Sequence, residues 1–415
     1  MRERDFTRER FDAGDALRGA CALGVFAVHA FVWTLVLPKS GALVPGYLGD
    51  NFRLQFGPLG YLLVMAQYGV WVFLTLSGYL ISRPFVRAYL RGTPMPPMRG
   101  YFRARVLRIA PAFWVAVLAT LVLLGPSGTS LRGILAVFGF VGVYYPSNFF
   151  TTISQSWTVT NEAAFYLALP LVMLALAFVS GRLRTPAERA AALAVVLGLV
   201  VLGSLLVSLS KPTSLGGLIG PAPLAYAFVP GVALAMLEHW LPQRVAGRRR
   251  WGWIAVALVG VGLVATFVFA NATAGGQLVS VHGVLTRPLG TLFSSLVLYG
   301  CVIAQWAGSS RWRVLDNRPF RYLGERSYSI YLVHLGVILL ISNALGPTQH
   351  AWHRAAFFVP LTLGVSIVVG ELLYRTVERP AMRFGRGGGI GPRHPLPSGA
   401  PRSGPLPARR GRALR

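Results

Sequence analysis

Arg18 and His29 stand eleven residues apart in DALRGACALGVFAVHAFVW, the first long apolar stretch of the chain. On an α-helix that spacing puts both on one face within about 20°, with roughly 16 Å of rise between them. The guanidinium is then expected at a membrane surface and the imidazole deep in the bilayer, facing the interior of a bundle, because an ionisable group exposed to lipid is costly. There an imidazole can act as general base or carry a proton near neutral pH, or it can tie two helices together by a hydrogen bond.

Three further groups could join it. Seven arginines lie between residues 83 and 108, more than the orientation of a membrane segment requires. The planar, permanently charged fork of arginine suits phosphate oxygens, so Arg105 and Arg108, three apart on one helix face, are candidates for holding a phosphorylated ligand. Arg83, Arg87 and Arg91 serve equally well as topology markers or lipid contacts. In SWTVTNEAAFYLALP, Glu162 lies near the opposite surface, five residues after Trp157 and four before Tyr166. It could activate a hydroxyl or sit as an anion at a helix N-terminus. In GERSYSIYLVHLG, Ser327, Tyr331 and His334 fall four and three apart, a polar stripe on an apolar helix. Ser327 and Tyr328 read as interfacial anchors, whereas His334, about two turns in, is the better functional candidate.

These side chains need a membrane-spanning frame. With 54% hydrophobic and 13% charged residues, the chain divides into apolar blocks near 17–37, 64–82, 106–125, 160–180, 190–210, 221–240, 252–270, 286–307, 327–345 and 355–374. Ten transmembrane helices in an all-α polytopic bundle are expected. The piece 131–145 is shorter. If it does not span, 34 of the 40 lysines and arginines fall on one side, so it is expected to be re-entrant or interfacial, with both termini cytoplasmic. The domain reading is a basic arm over 1–15, a membrane domain over 16–384, and a Gly/Pro/Arg-rich tail over 385–415 that is expected to be disordered. The arm is too charged and its helix too long for a removed signal peptide, so the first helix is expected to stay.

Several classes drop out. A net charge of +27 would suit nucleic acid, but the basic residues punctuate apolar segments instead of gathering on a soluble face, and no nucleic-acid partner is expected. Cys21 and Cys301 lie in apolar blocks and read as packing residues. There is no GxSxG elbow, Walker loop, HExxH or zinc-spaced pair, so transfer without a metal or a permanently bound cofactor is expected. An arginine-lined mouth leading to a buried histidine suggests an activated donor that enters from the cytoplasm.

In their shared order these motifs resemble acyltransferase family 3, integral-membrane O-acyltransferases of bacterial glycans and small secreted molecules. DALRG with His29 is similar to the family's DGLRG-and-histidine element, matching at Asp15, Arg18, Gly19 and His29. YGVWVFLTLSGYLIS resembles its second-helix element, FRARVLRIAPAFW its arginine-rich third-helix start, and SWTVTNEAAFY its WSLxxExxFY element. FVPG, SYSIYLVH and VERP are similar to its later blocks. Ala16, Thr158 and Ala163 depart from the usual glycine, serine and acidic residue.

The resemblance implies acetyl-CoA or another acyl-CoA as co-substrate, with Arg18, Arg105, Arg108, Tyr331 and His334 toward the donor. It places His29 at the centre of transfer, as base or transient acyl relay, and Glu162 toward the acceptor, with Asp15, Trp157, Tyr166 and Ser327 in support. It also implies a bacterial cytoplasmic membrane and a glycan or glycosylated acceptor. With only the basic tail after the tenth span, a stand-alone form is expected, which delivers the acyl group itself or hands it to a separate extracytoplasmic transferase. The competing readings are a transporter or flippase for a lipid-linked or acylated glycan, and a non-catalytic scaffold.

Overall fold

The structure, a computed structural model, describes residues 12–35, 47–126, 130–145, 155–210, 217, 219–273, 281–309, 317–346 and 350–386. Most of the arm, residues 1–11, and the tail from 387 onward lie outside the described residues. Among the described residues every regular element is helical, as a lipid-embedded backbone must satisfy its own hydrogen bonds. Among the described residues, nine helices are long and apolar enough to cross a membrane. They comprise α1 (Asp12–Val32), α2 (Gly69–Arg91, preceded by the apolar helix Pro58–Ala66), α3 (Met98–Leu124), α4 (Ser156–Val179) and α5 (Pro186–Leu209). The others are α6 (Arg249–Thr273), α7 (Val281–Trp306), α8 (Ser327–Leu345) and α9 (Ala351–Leu373). The chain is therefore a multi-pass, all-helical membrane protein. Helix α7 buries 67% of its apolar window and α5 only 11%, which puts α7 at the centre of the bundle and α5 at its lipid edge.

The block at 221–240 behaves differently from the other nine. It forms a helix over Pro221–Leu224, a 3-10 turn over Ala225–Phe228 and a helix over Val229–Leu237. Seventeen residues rise only about 25 Å, short of a hydrocarbon core of roughly 30 Å. Proline causes the break: Pro230 has no N–H to donate, and its ring excludes a regular helical bond to the Tyr226 carbonyl. The Tyr226 carbonyl accepts instead from the Val229 N–H, and Thr75 donates its hydroxyl to the neighbouring Ala227 carbonyl at 3.2 Å. Glycines let this broken element touch α2. A Cβ on Gly231 would lie 2.0 Å from the Thr75 carbonyl oxygen, and one on Gly78 would lie 2.3 Å from that of Phe228.

The segment 131–145 contains one helix, Leu131–Phe138, capped by Ser130, and a 3-10 turn over Gly142–Tyr144. Eight helical residues rise about 12 Å, too little to cross a bilayer. Trp114 of α3 fastens it by donating its indole N–H to the Phe138 carbonyl at 2.9 Å.

A second pair of glycines sets the position of α1. It packs along the short helix Arg318–Glu325 that leads into α8. A Cβ on Gly19 would fall 2.2 Å from the Phe320 carbonyl oxygen, and one on Gly324 would fall 1.7 Å from that of Asp15. Gly324→Ala is expected to force these backbones apart and destabilise the protein by about 1–3 kcal/mol, read as a lowered thermal midpoint in detergent. Gly364→Ala in α9, where the added methyl meets nothing within 4 Å, is expected to leave the midpoint unchanged or raise it.

Candidate active site

Helices α2, α3, α4 and α8 enclose a cavity of about 840 Å³. Along α2 it runs from Ile81 to Val70, roughly 16 Å of helix rise. Five arginines line it, Arg18, Arg105, Arg108, Arg326 and Arg379, against the carboxylates of Asp15, Glu162 and Glu325.

The five are not equivalent. Arg108 pairs with Glu378, which is fully buried, and lies over the Tyr328 ring at 5.5 Å. Arg326 pairs with Glu371 and Glu325 and stacks on Tyr322 at 3.9 Å. Partial burial first, and then the Glu371 carboxylate to which it donates, raise the Tyr322 phenol above its ordinary pKa and keep it a donor. Arg18 has Asp15 at 3.9 Å. Arg105 and Arg379 have no carboxylate partner among the described residues. The Nε of Arg105 is buried without any hydrogen-bond partner, and its guanidinium lies 5.7 Å from the Tyr166 ring centre. An anion entering the cavity would find in Arg105 a donor not already engaged.

The VERP motif explains the Arg108 pair. Pro380 cannot donate to the Thr376 carbonyl, and the chain widens to a π-turn over Tyr374–Glu378 before the helix Arg379–Arg386. The buried Glu378 meets Arg108 through one oxygen, and its other oxygen accepts from the Ser329 hydroxyl.

Glu162 stands in the same cavity. Its Oε1 accepts from the Ser77 hydroxyl at 2.8 Å and from the Tyr166 hydroxyl at 2.5 Å. The sequence places this carboxylate near the opposite surface, apart from the arginines. The structure instead brings it beside Arg105 and Arg108, because Tyr166, one turn further along α4, packs against the Arg105 guanidinium.

The two histidines meet. His29 lies ten residues beyond Gly19 on α1, and His334 lies ten residues beyond Gly324 toward α8, so the glycine contact brings them to one level. His29 Nδ1 is 2.9 Å from His334 Nε2, and His334 Nδ1 is 2.6 Å from the Tyr331 carbonyl oxygen. A carbonyl only accepts, so His334 Nδ1 carries hydrogen. His334 is 1% exposed with no carboxylate in contact among the described residues, so its imidazole is neutral and its Nε2 bare. His29 therefore donates from Nδ1, and, with no carboxylate in contact among the described residues either, it is neutral as well and keeps the free lone pair on Nε2. The tautomer is fixed by a backbone carbonyl rather than by an acid.

His29 and His334 do not line the cavity. It ends at Tyr331 and Thr158, whose hydroxyls are 2.9 Å apart, one turn short of His334. Gln155 buttresses this floor by donating its amide hydrogens to the Tyr331 and Leu332 carbonyls at 3.3 and 2.9 Å. Asp15, Tyr166 and Ser327 line the cavity as well, but Trp157 does not: it packs on Trp71 at a ring distance of 6.2 Å. Arg83, left open by the sequence, forms a two-point pair with Glu238. Ser77, Thr158, Gln155 and Glu378 are additions. Of these, Ser77, Thr158 and Glu378 stood inside recognised motifs, whereas nothing in the sequence marked Gln155.

A family model described as an acyltransferase domain, the third of its name, matches residues 12–371. Peptidoglycan O-acetyltransferase OatA of Listeria monocytogenes is 23% identical over 342 residues, covering 76% of this chain and 51% of that protein. A Bacillus subtilis protein named for the same activity, YrhL, is 24% identical over 335 residues, covering 75% of this chain and 50% of its own length. Nodulation protein 10 of Rhizobium leguminosarum is 25% identical over 397 residues, covering 89% of this chain and 93% of that one. The chain thus spans about half the length of the two peptidoglycan relatives. No solved structure matches.

The geometry separates a structural arginine from one open to a ligand. Glu378→Ala strands the Arg108 charge and is expected to cost roughly 3–5 kcal/mol, with Arg108→Met/Glu378→Met recovering much of it. Arg105→Met is expected to leave the unfolding midpoint within about 0.5 kcal/mol of wild type, since no partner is stranded. Thermal unfolding of the three variants in detergent checks both.

Proposed function

The chain belongs to acyltransferase family 3, and from that premise we propose that it is a bacterial cytoplasmic-membrane O-acyltransferase that moves acetyl or another short acyl group from cytosolic acyl-CoA to a hydroxyl of a glycan or glycosylated acceptor. The observation that carries this reading is the hydrogen-bonded line from the Tyr331 carbonyl through His334 to His29. It starts at the floor of an arginine-lined cavity and leaves His29 Nε2 as an unprotonated base.

In this reading the CoA phosphates sit among Arg18, Arg105 and Arg379, and the thioester arm follows the cavity along α2. Parting of the Tyr331 and Thr158 hydroxyls joins the cavity to the imidazoles. The acceptor oxygen then bonds the thioester carbonyl carbon, and its proton passes to His29 Nε2. As the C–S bond breaks, the imidazolium returns that proton to the CoA thiolate, so ester and free thiol leave and the base is restored. A transient acyl-imidazole on His29 divides the same transfer into two steps. Glu162, held by Ser77 and Tyr166, orients the incoming hydroxyl. The acyl group reaches the outer side either through this domain alone or by way of a separate transferase.

Purified protein in nanodiscs, supplied with acetyl-CoA and a sugar acceptor, tests the proposal. His29→Ala is expected to lower kcat by about 10²–10⁴-fold, the usual contribution of a positioned base or nucleophile. Arg105→Ala is expected to raise KM for acetyl-CoA at least about tenfold with a smaller change in kcat, from loss of a charge-assisted bond. Wild-type protein that moves a glycan across vesicles without releasing CoA would support transport instead.

A further inference from the structure

We propose that Trp71, Trp157, Tyr226 and Asn161 form the platform on which a sugar ring of the acceptor docks, an inference that rests on the acyl-transfer reading above. The three aromatic rings are contiguous. Trp71 lies 6.2 Å from Trp157 and 6.3 Å from Tyr226, centre to centre, and both indoles are half-buried. They come from three elements, α2, α4 and the 3-10 turn Ala225–Phe228.

Two buried polar atoms at this cluster make no hydrogen bond of ordinary geometry among the described residues. Asn161, 1% exposed, gives both amide hydrogens away, to the Trp157 carbonyl at 2.7 Å and the Ile219 carbonyl at 2.9 Å. Two carbonyls demand the amide nitrogen on that side, so the unpaired atom is Oδ1. The Tyr226 hydroxyl, on a residue 5% exposed, makes no hydrogen bond of ordinary length and angle among the described residues, and the Thr291 hydroxyl is only a weak neighbour to it. Thr291, on that side, gives its own hydrogen to the Arg287 carbonyl at 2.8 Å. Buried orphan polar atoms are uncommon and call for an explanation such as a missing ligand. A sugar answers both features, with apolar C–H faces for the rings and hydroxyl edges for Asn161 and Tyr226.

The backbone agrees. Irregular chain at membrane depth is tolerated where it is enclosed by protein or lines a polar cavity, and broken helices are a recurrent place for binding sites within bilayers. The registry on α4 then connects platform to chemistry. Trp157 and Asn161, four apart, share one face, while Thr158 and Glu162, also four apart, share the neighbouring face that lines the arginine cavity. A ring held on the first face would present a hydroxyl toward Glu162 on the second.

Tyr226→Phe gives a direct test, because a buried hydroxyl with no hydrogen bond of ordinary geometry contributes little to stability, so a merely structural role predicts no change in acceptor KM on its removal. We expect the thermal midpoint not to fall, KM for acetyl-CoA to hold, and KM for the sugar acceptor to rise about three- to tenfold. Binding is followed separately, without turnover, by tryptophan fluorescence titrated with β-1,4-linked N-acetylglucosamine, glucose and galactose tetramers. A saturable change with at least one tetramer, lost in Trp71→Phe/Trp157→Phe, supports the platform. No saturable change with any of the three, persistence of the change in the double variant, or an unaltered acceptor KM in Tyr226→Phe would overturn it. Failure of the underlying reading shows differently, as wild-type protein that binds sugar but releases no CoA from acetyl-CoA.

Discussion

The backbone contact between Gly19 and Phe320, and its reciprocal between Gly324 and Asp15, fixes α1 against the short helix Arg318–Glu325 that leads into α8, and the site depends on that register. No side chain larger than hydrogen fits at either point. With the two helices held there, ten further residues on each bring His29 to His334, and the Tyr331 carbonyl orients the pair. The helical rise converts a close contact at the cavity mouth into an imidazole pair about 15 Å deeper. Arg18, one residue before Gly19, stays at the mouth by the same geometry.

A low-dielectric bundle also explains how the arginines are shared out. A buried charge must be paired, and the chain has only 13 acidic residues for 40 basic ones. Glu378, Glu371 and Glu238 are committed to Arg108, Arg326 and Arg83, each joining segments distant in sequence. Arg105 lacks such a partner among the described residues, and its buried Nε is held beside the Tyr166 ring. A cation retained in this way, in a cavity that runs roughly 16 Å along α2, is the feature most readily completed by an anionic ligand.

Local features of the fold and site were legible in the sequence where one helix contains the whole pattern. The apolar blocks located the long helices, and the spacings of Arg18 to His29 and of Ser327 to His334 correspond in the structure to one end lining the cavity and the other lying beyond its floor. Features that need a second helix were not legible. The Arg108–Glu378 pair joins residues 270 apart, and the two hydroxyls on Glu162 include one from Ser77, 85 residues away. The break at Pro230 lies in a block whose hydropathy alone reads as a full span. Trp157 illustrates a further limit, since its neighbour Thr158 faces the cavity and a difference of one residue, about 100°, decides which surface a side chain serves.

Nitrogen-15 NMR of histidine-labelled protein in nanodiscs, with His29 and His334 assigned by substitution, addresses the imidazole line directly. Two neutral rings are expected, each protonated at Nδ1, with His29 Nε2 bare and its signal moved when acyl-CoA is added. A charged His334, or a hydrogen resident on His29 Nε2, would contradict an account in which that nitrogen receives the acceptor's proton.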